Sequence, residues 1–156
     1  MRRKRKVKRA QIPDPQYGDF LVAKCINYLM RRGKKSTARR VMYDALEEIK
    51  RREKVDDPVS FFTTAVSNVG PQMEVKSRRI GGANYQVPRE VSGSRRVALA
   101  LRWLLDVSRA KKGKPMSKKF AEEIILAAKN EGAAIKKKLD THRMAEANKA
   151  FAHFAW

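Results

Sequence analysis

Residues 73–91 read MEVKSRRIGGANYQVPREV. Two runs with strand character flank Gly81–Gly82, and a Gly-Gly pair supplies the positive φ angles that a two-residue hairpin turn requires. With that turn, Ile80 faces Ala83, Arg78 faces Tyr85 and Lys76 faces Val87. One face of the ribbon then carries Glu74, Lys76, Arg78, Ile80, Ala83, Tyr85, Val87 and Arg89. The other carries Met73, Val75, Ser77, Arg79, Asn84, Gln86, Pro88 and Glu90. Neither face is apolar, and only the root (Met73, Val75, Val91) is fit to pack on helices. A lone two-stranded ribbon is marginal in water. The outer part is therefore expected to project and to become fully ordered against a partner. Its chemistry suits a nucleic acid: Lys76, Arg78 and Arg79 meet phosphates, Asn84 and Gln86 read base edges or riboses, and Tyr85 stacks on a splayed base. Pro88 denies a ladder N–H and discourages unwanted strand pairing. The plain alternative is a solvated hairpin with ordinary surface charge.

Outward from the hairpin, the pattern is helical. Before it, Asp19 is placed to cap FLVAKCINYLM, with Val22, Cys25, Ile26 and Leu29 at helical spacing. Arg31 and Arg32 suit the negative end of that helix, and Gly33 its C′ position. Ser36 reads as the N-cap of a second helix with Val41, Ala45, Leu46 and Ile49 as its stripe. Asp57 with Pro58 opens a third, carrying Phe62, Ala65, Val66 and Val69 and stopping at Gly70–Pro71. After the hairpin, a fourth helix carries Val97, Leu101, Leu104 and Leu105. Ser117 is expected to cap a fifth, with Phe120, Ile124, Ile125 and Ala128. A sixth runs from about Ala133 through Ile135 and Leu139 toward Phe151. The expected fold class is mainly α: about six helices, with a protruding two-stranded hairpin between the third and fourth. Residues 1–17 form a basic extended arm, because Pro13 and Pro15 block helix; residues 18–156 form one helical domain.

The chain has 156 residues with 37 Lys+Arg against 16 Asp+Glu, a formal net charge of +21. Small soluble domains sit comfortably at a net charge of about 2–8. So large an excess opposes compactness and implies a polyanionic partner, nucleic acid first and an anionic membrane surface second. Seven of the first ten residues are basic: Arg2, Arg3, Lys4, Arg5, Lys6, Lys8 and Arg9. Lys34–Lys35 lie at a turn between helices. Arg95–Arg96 lie at a helix start, where cations oppose the macrodipole and a phosphate would relieve the conflict. Arg102, two turns on, extends the stripe; the alternative for all three is an exposed helical face.

Catalysis finds no support. Cys25 is a lone cysteine in an apolar run and reads as a small buried hydrophobe. His142 and His153 have no third ligand at metal spacing, so neither metal nor cofactor is expected. Glu47–Glu48 and Glu122–Glu123 are expected on helix surfaces. Trp103 reads as core. The aromatic ending FAHFAW, closing at Trp156, either docks on the body or meets a partner. No stretch is apolar enough to span a membrane. The N-terminus has no apolar segment behind its charge, so a cytoplasmic setting is the default.

Five stretches carry a resemblance: PDPQYGD (13–19), GKKSTA (33–38), the hairpin (73–91), ALRWLL (100–105) and HRMAEANKAFAHF (142–154). Together they resemble the ribosomal protein seven family of the small subunit, in its bacterial or organellar form, over almost the whole chain. The resemblance implies a ribosomal-RNA binder that engages the 3′ major domain of small-subunit RNA and nucleates assembly of the subunit head. It implies a place at the subunit interface near the exit-site transfer RNA, with small-subunit proteins nine and eleven as neighbours. Carried onto this chain, the basic arm, Lys34–Lys35, the hairpin and the start of the fourth helix would face ribosomal RNA. Arg78, Arg79 and Gly81–Gly82 would approach the transfer RNA, with Trp156 nearby. The sequence departs from the family at Cys25, Arg32, Gly70 and the ending Phe154-Ala155-Trp156, so the transfer-RNA assignment rests on the hairpin more than on the tail. Three rivals compete: a DNA-architectural protein with a β-ribbon arm, an RNA-processing enzyme, and a membrane-surface binder.

Overall fold

A computed structural model describes residues 12–154 of the chain. Six α-helices appear among them: α1 (Phe20–Leu29), α2 (Lys35–Glu53), α3 (Pro58–Val69), α4 (Gly93–Ala110), α5 (Met116–Ala128) and α6 (Ala133–Ala147). Strands β1 (Met73–Ile80) and β2 (Ala83–Glu90) lie between α3 and α4, and a 3-10 helix (Lys149–Phe154) follows α6. The mainly helical fold with an inserted hairpin is the one the sequence predicts.

The core forms where the apolar stripes of the helices meet. α5 packs against α2, α3 and α4. Met42, Leu46, Ile49, Phe62, Leu101, Leu104, Phe120 and Ile124 are fully buried there, and the Phe62 and Phe120 rings meet edge-on at 6.5 Å. Each such side chain contributes roughly 1.5–3 kcal/mol by leaving water. Cys25 is buried as expected, and burial pushes its thiol pKa up. Trp103 is half-buried and packs against the edge of the core.

Two helix starts are as read. The Asp19 carboxylate accepts from the Val22 N–H at 2.7 Å. Asp57 accepts from the Val59 and Ser60 N–H groups ahead of Pro58 at N1. Two others are corrected. α2 begins before Ser36, with Lys34 at the cap position and no side-chain cap. The chain turns into α2 through Arg32 and Gly33 at positive φ, and the Lys35 N–H donates to the Gly33 carbonyl. α5 likewise starts at Met116, because Pro115 supplies the extended residue before it (φ −58°, ψ 152°) and leaves Ser117 inside the helix. α6 stops at Ala147, short of Phe151. The Asn148 side chain donates to the Met144 carbonyl, a local bond that competes with helix continuation, and the chain tightens into the 3-10 turn.

The end of α1 is served differently from the expectation. The helix closes at Leu29, before Arg31 and Arg32. The cation at its carbonyl end is Arg109 of α4, which donates to the Tyr28 carbonyl at 3.2 Å. Two carboxylates expected on the surface are buried. Glu48 is held by Arg51 and Arg52, and Arg52 keeps its pKa below the usual value against the opposing effect of burial. Glu123 accepts from the Ala134 N–H at the start of α6 and pairs with Lys111 at 2.7 Å. Glu48 is paired along its own helix, at i+3 and i+4, whereas Glu123 satisfies groups outside its helix, the Ala134 N–H and the Lys111 ammonium.

Candidate nucleic-acid interface

The hairpin adopts the expected register: Ile80 opposite Ala83, Arg78 opposite Tyr85, Lys76 opposite Val87. Gly81 (φ +56°) and Gly82 (φ +92°) make the turn, both in the region where a Cβ is penalised. The register is thus set by turn chemistry rather than by an apolar face.

The root is corrected. Val87 and Pro88 are buried there together with the carboxylate-bearing Glu74, while Met73, Val75 and Val91 are only half-buried. The reason is that α6 packs on both strands and the 3-10 helix packs on β2, so the hairpin is covered from the C-terminal side of the chain. Glu74 is tolerated there because two cations reach it. Arg89 donates through Nε at 2.8 Å and through Nη2, and Arg95 donates twice at 3.1 Å. Burial alone would raise the Glu74 pKa; the hydrogen bonds from Arg89 and Arg95 outweigh it and hold the carboxyl below its usual range.

The distal hairpin is open to solvent. Lys76, Ser77, Arg79, Gly81, Gly82, Ala83, Asn84 and Gln86 are exposed, and Arg78 is half-buried. No acidic residue lies between Glu74 and Glu90. Lys76, Arg78 and Tyr85 share one face, where Arg78 and Tyr85 are half-buried, and Arg79 and Asn84 share the other, so the exposed cations Lys76 and Arg79 stand on opposite sides of a narrow ribbon. Lys34 and Lys35 are exposed at the start of α2, whose first turn carries no acidic residue, and Arg102 is exposed on α4.

The start of α4 is not a free pair of cations. Arg95 faces Glu74. Arg96 reaches back to α3, donating through Nε to the Gly70 carbonyl at 3.2 Å. A Cβ at position 70 would sit 2.8 Å from the Arg96 Cγ, so glycine makes room for the arginine stem. Beside Arg96, Lys138 of α6 donates to the Asn68 carbonyl at 2.7 Å, and the His142 Nε2 accepts from the Gln72 N–H at 3.0 Å. Burial lowers the pKa of both groups, and the neighbouring positive charges lower them further. Sequence reasoning did not single out Lys138, which closes the run Lys136–Lys138, and weighed His142 only as a metal ligand; neither contact is legible locally, because each partner lies 70 positions away.

Tyr85 is also engaged. Its ring centroid lies 5.3 Å from Phe151 and 5.5 Å from Phe154. The aromatic tail therefore docks on the hairpin. The basic arm (Arg2, Arg3, Lys4, Arg5, Lys6, Lys8, Arg9) and Trp156 lie outside the described residues. Among the described residues no cluster of His, Cys, Asp and Glu could hold a metal, and no helix is long and apolar enough to cross a membrane.

The interface can bind a polyanion through a thin, doubly sided basic ribbon set on a rigid helical body. Comparison with known proteins agrees. Residues 1–149 match the family described as Ribosomal protein S7p/S5e. The chain is 57% identical over 156 residues to small ribosomal subunit protein uS7 of Thermotoga petrophila, covering all of both chains. It is 56% identical to the uS7 of an Anaeromyxobacter species, again over all of both chains, and 53% identical to that of Desulfotalea psychrophila over 99% of each.

Proposed function

The chain belongs to the ribosomal protein S7p/S5e family, whose members are RNA-binding structural components of the small ribosomal subunit rather than enzymes, and from that premise we propose where and how it binds. It engages the 3′ major domain of small-subunit ribosomal RNA and nucleates folding of the subunit head. Its hairpin tip (Arg78, Arg79, Gly81, Gly82) lies toward the exit-site transfer RNA, with Trp156 nearby. Small-subunit proteins nine and eleven are its protein neighbours. Lys34, Lys35, Lys76, Arg102 and the basic arm contact RNA phosphates together with Arg78 and Arg79. Tyr85, Arg95 and Arg96 complete the surface.

The observation that carries this reading is the exposed distal hairpin, with cations on both faces and no carboxylate between Glu74 and Glu90. A ribbon of that kind can enter the space between RNA segments and neutralise phosphates on either side. The helical body keeps the hairpin and Lys34–Lys35 at a set spacing, so RNA segments that touch both are fixed relative to each other. Counterion release supplies the driving force and makes binding salt-dependent.

The test is a titration against an RNA fragment containing the 3′ major domain, with scrambled RNA and duplex DNA of equal length as competitors, at two salt concentrations. Binding that survives both competitors and the higher salt is expected. Equal binding to all three, with a steep salt slope, would reduce the protein to a generic polycation.

A further inference from the structure

The hairpin is held to the body at two heights. At its root, Glu74 joins Arg89 on β2 to Arg95 on α4, His142 of α6 accepts from the Gln72 N–H, and the Val91 N–H closes onto the Gln72 carbonyl. Farther out, at the level where Tyr85 pairs with Arg78, the 3-10 helix lays Phe151 and Phe154 against the tyrosine ring at 5.3 and 5.5 Å, with tilts of 57° and 44°. The His153 ring lies 3.9 Å from that of Phe154 and extends the cluster. Nothing in the ribbon's own pattern supplies such a hold, since both of its faces are polar. A rod tied at one point pivots; a rod tied at two has a direction.

We propose that Phe151 and Phe154 are positioning residues: through Tyr85 they fix the direction of the hairpin before any RNA is met. Tyr85 is the anchor of this clip, and Lys76, Arg78 and Arg79 are the groups it aims. Ordering an arm only on binding costs conformational entropy, and an arm already ordered avoids that cost. The effect on affinity rests on the RNA-binding reading above; the effect on hairpin order does not.

The test uses the full chain with Phe151→Ala and Phe154→Ala together, and a second variant with Phe151→Tyr and Phe154→Tyr, which keeps the rings. Amide hydrogen exchange in Lys76–Gln86 is expected to quicken about tenfold in the alanine variant, the order expected when two aromatic pairs are removed, with α2 to α5 unchanged. Affinity for the 3′ major domain fragment is expected to fall about tenfold with the salt slope unchanged, because no charge has been removed. The tyrosine variant should restore both. Hairpin exchange equal to the wild type would overturn the proposal. So would tighter RNA binding by the alanine variant, which would make the tail a cover over Tyr85 instead of a guide. If the wild-type protein shows no preference for the fragment over scrambled RNA, the RNA reading fails, and hairpin exchange still decides the positioning role.

Discussion

Glu74 decides what two of the candidate arginines do. It lies 8% exposed between Arg89 and Arg95 and accepts four hydrogen bonds from them. A phosphate that contacts Arg95 must therefore share it with a carboxylate already in place. Glu74→Ala would leave both guanidinium groups without their acceptor. It is expected to destabilise the fold by about 1.5–3 kcal/mol in urea denaturation, the range for hydrogen bonds to charged groups. The carboxyl pKa values of Glu48, Glu74 and Glu122 are held below the usual 4.5. The unfolded chain therefore takes up protons first as pH falls. The stability these groups confer is present above about pH 4.5 and is lost as pH drops through their depressed folded-state values, a loss that Glu74→Gln should reduce. His142 acts at higher pH. Its pKa is lowered from 6.5, and its Nε2 must be unprotonated to accept from the Gln72 N–H. Between its folded and unfolded pKa values the unfolded state binds the extra proton. The thermal midpoint should thus begin to fall below about pH 6.5 in the wild type and fall less in His142→Gln.

At the scale of elements, local chemistry predicts well where a partner is local. Asp19 and Asp57 cap their helices because an Asx carboxylate reaches N–H groups two or three residues ahead. The Gly81–Gly82 turn fixes the hairpin register for a similar reason. Ser36 and Ser117 have the right side chain for a cap, but the chain turns before them, through Gly33 in one case and Pro115 in the other. The hairpin tip makes a prediction of its own. Arg78→Ala with Arg79→Ala should leave far-UV circular dichroism unchanged, because neither residue belongs to the core that holds the helices together. It should weaken binding to the 3′ major domain fragment and lower the salt slope by about 1 for each phosphate no longer neutralised. A loss of helicity would show that the tip is part of the folded body.

For the whole molecule, a charge of +21 on 156 residues is tolerable only if much of it is neutralised by a partner. Part is neutralised internally: Arg51 and Arg52 at Glu48, Lys111 at Glu123, Lys114 at Glu122, Lys129 at Glu53. These pairs lie around the helical body. The distal hairpin and the first ten residues contain no carboxylate, so these two short segments hold nearly half of the excess. Replacing Arg2, Arg3, Lys4, Arg5, Lys6, Lys8 and Arg9 with serine should weaken RNA binding and flatten its salt dependence, with the unfolding midpoint of the helical body unchanged. An unchanged slope would mean that the arm does not touch phosphate.

From the sequence alone came the helical periods, the apolar stripes, the hairpin and its register, the two aspartate caps and the polycationic character. Each follows from residues a few positions apart, or from summed charge, and needs no knowledge of where distant segments meet. The tertiary structure alone decided which cations are engaged by acceptors within the protein. Arg95, Arg96, Arg109 and Lys138 find acceptors 21, 26, 81 and 70 positions away. It also decided that Glu48 and Glu123 are buried, and that the aromatic tail docks on Tyr85. A side chain's charge is written in the chain, but its partner is chosen by packing, because only the folded helices bring a carbonyl, a carboxylate or a ring within reach.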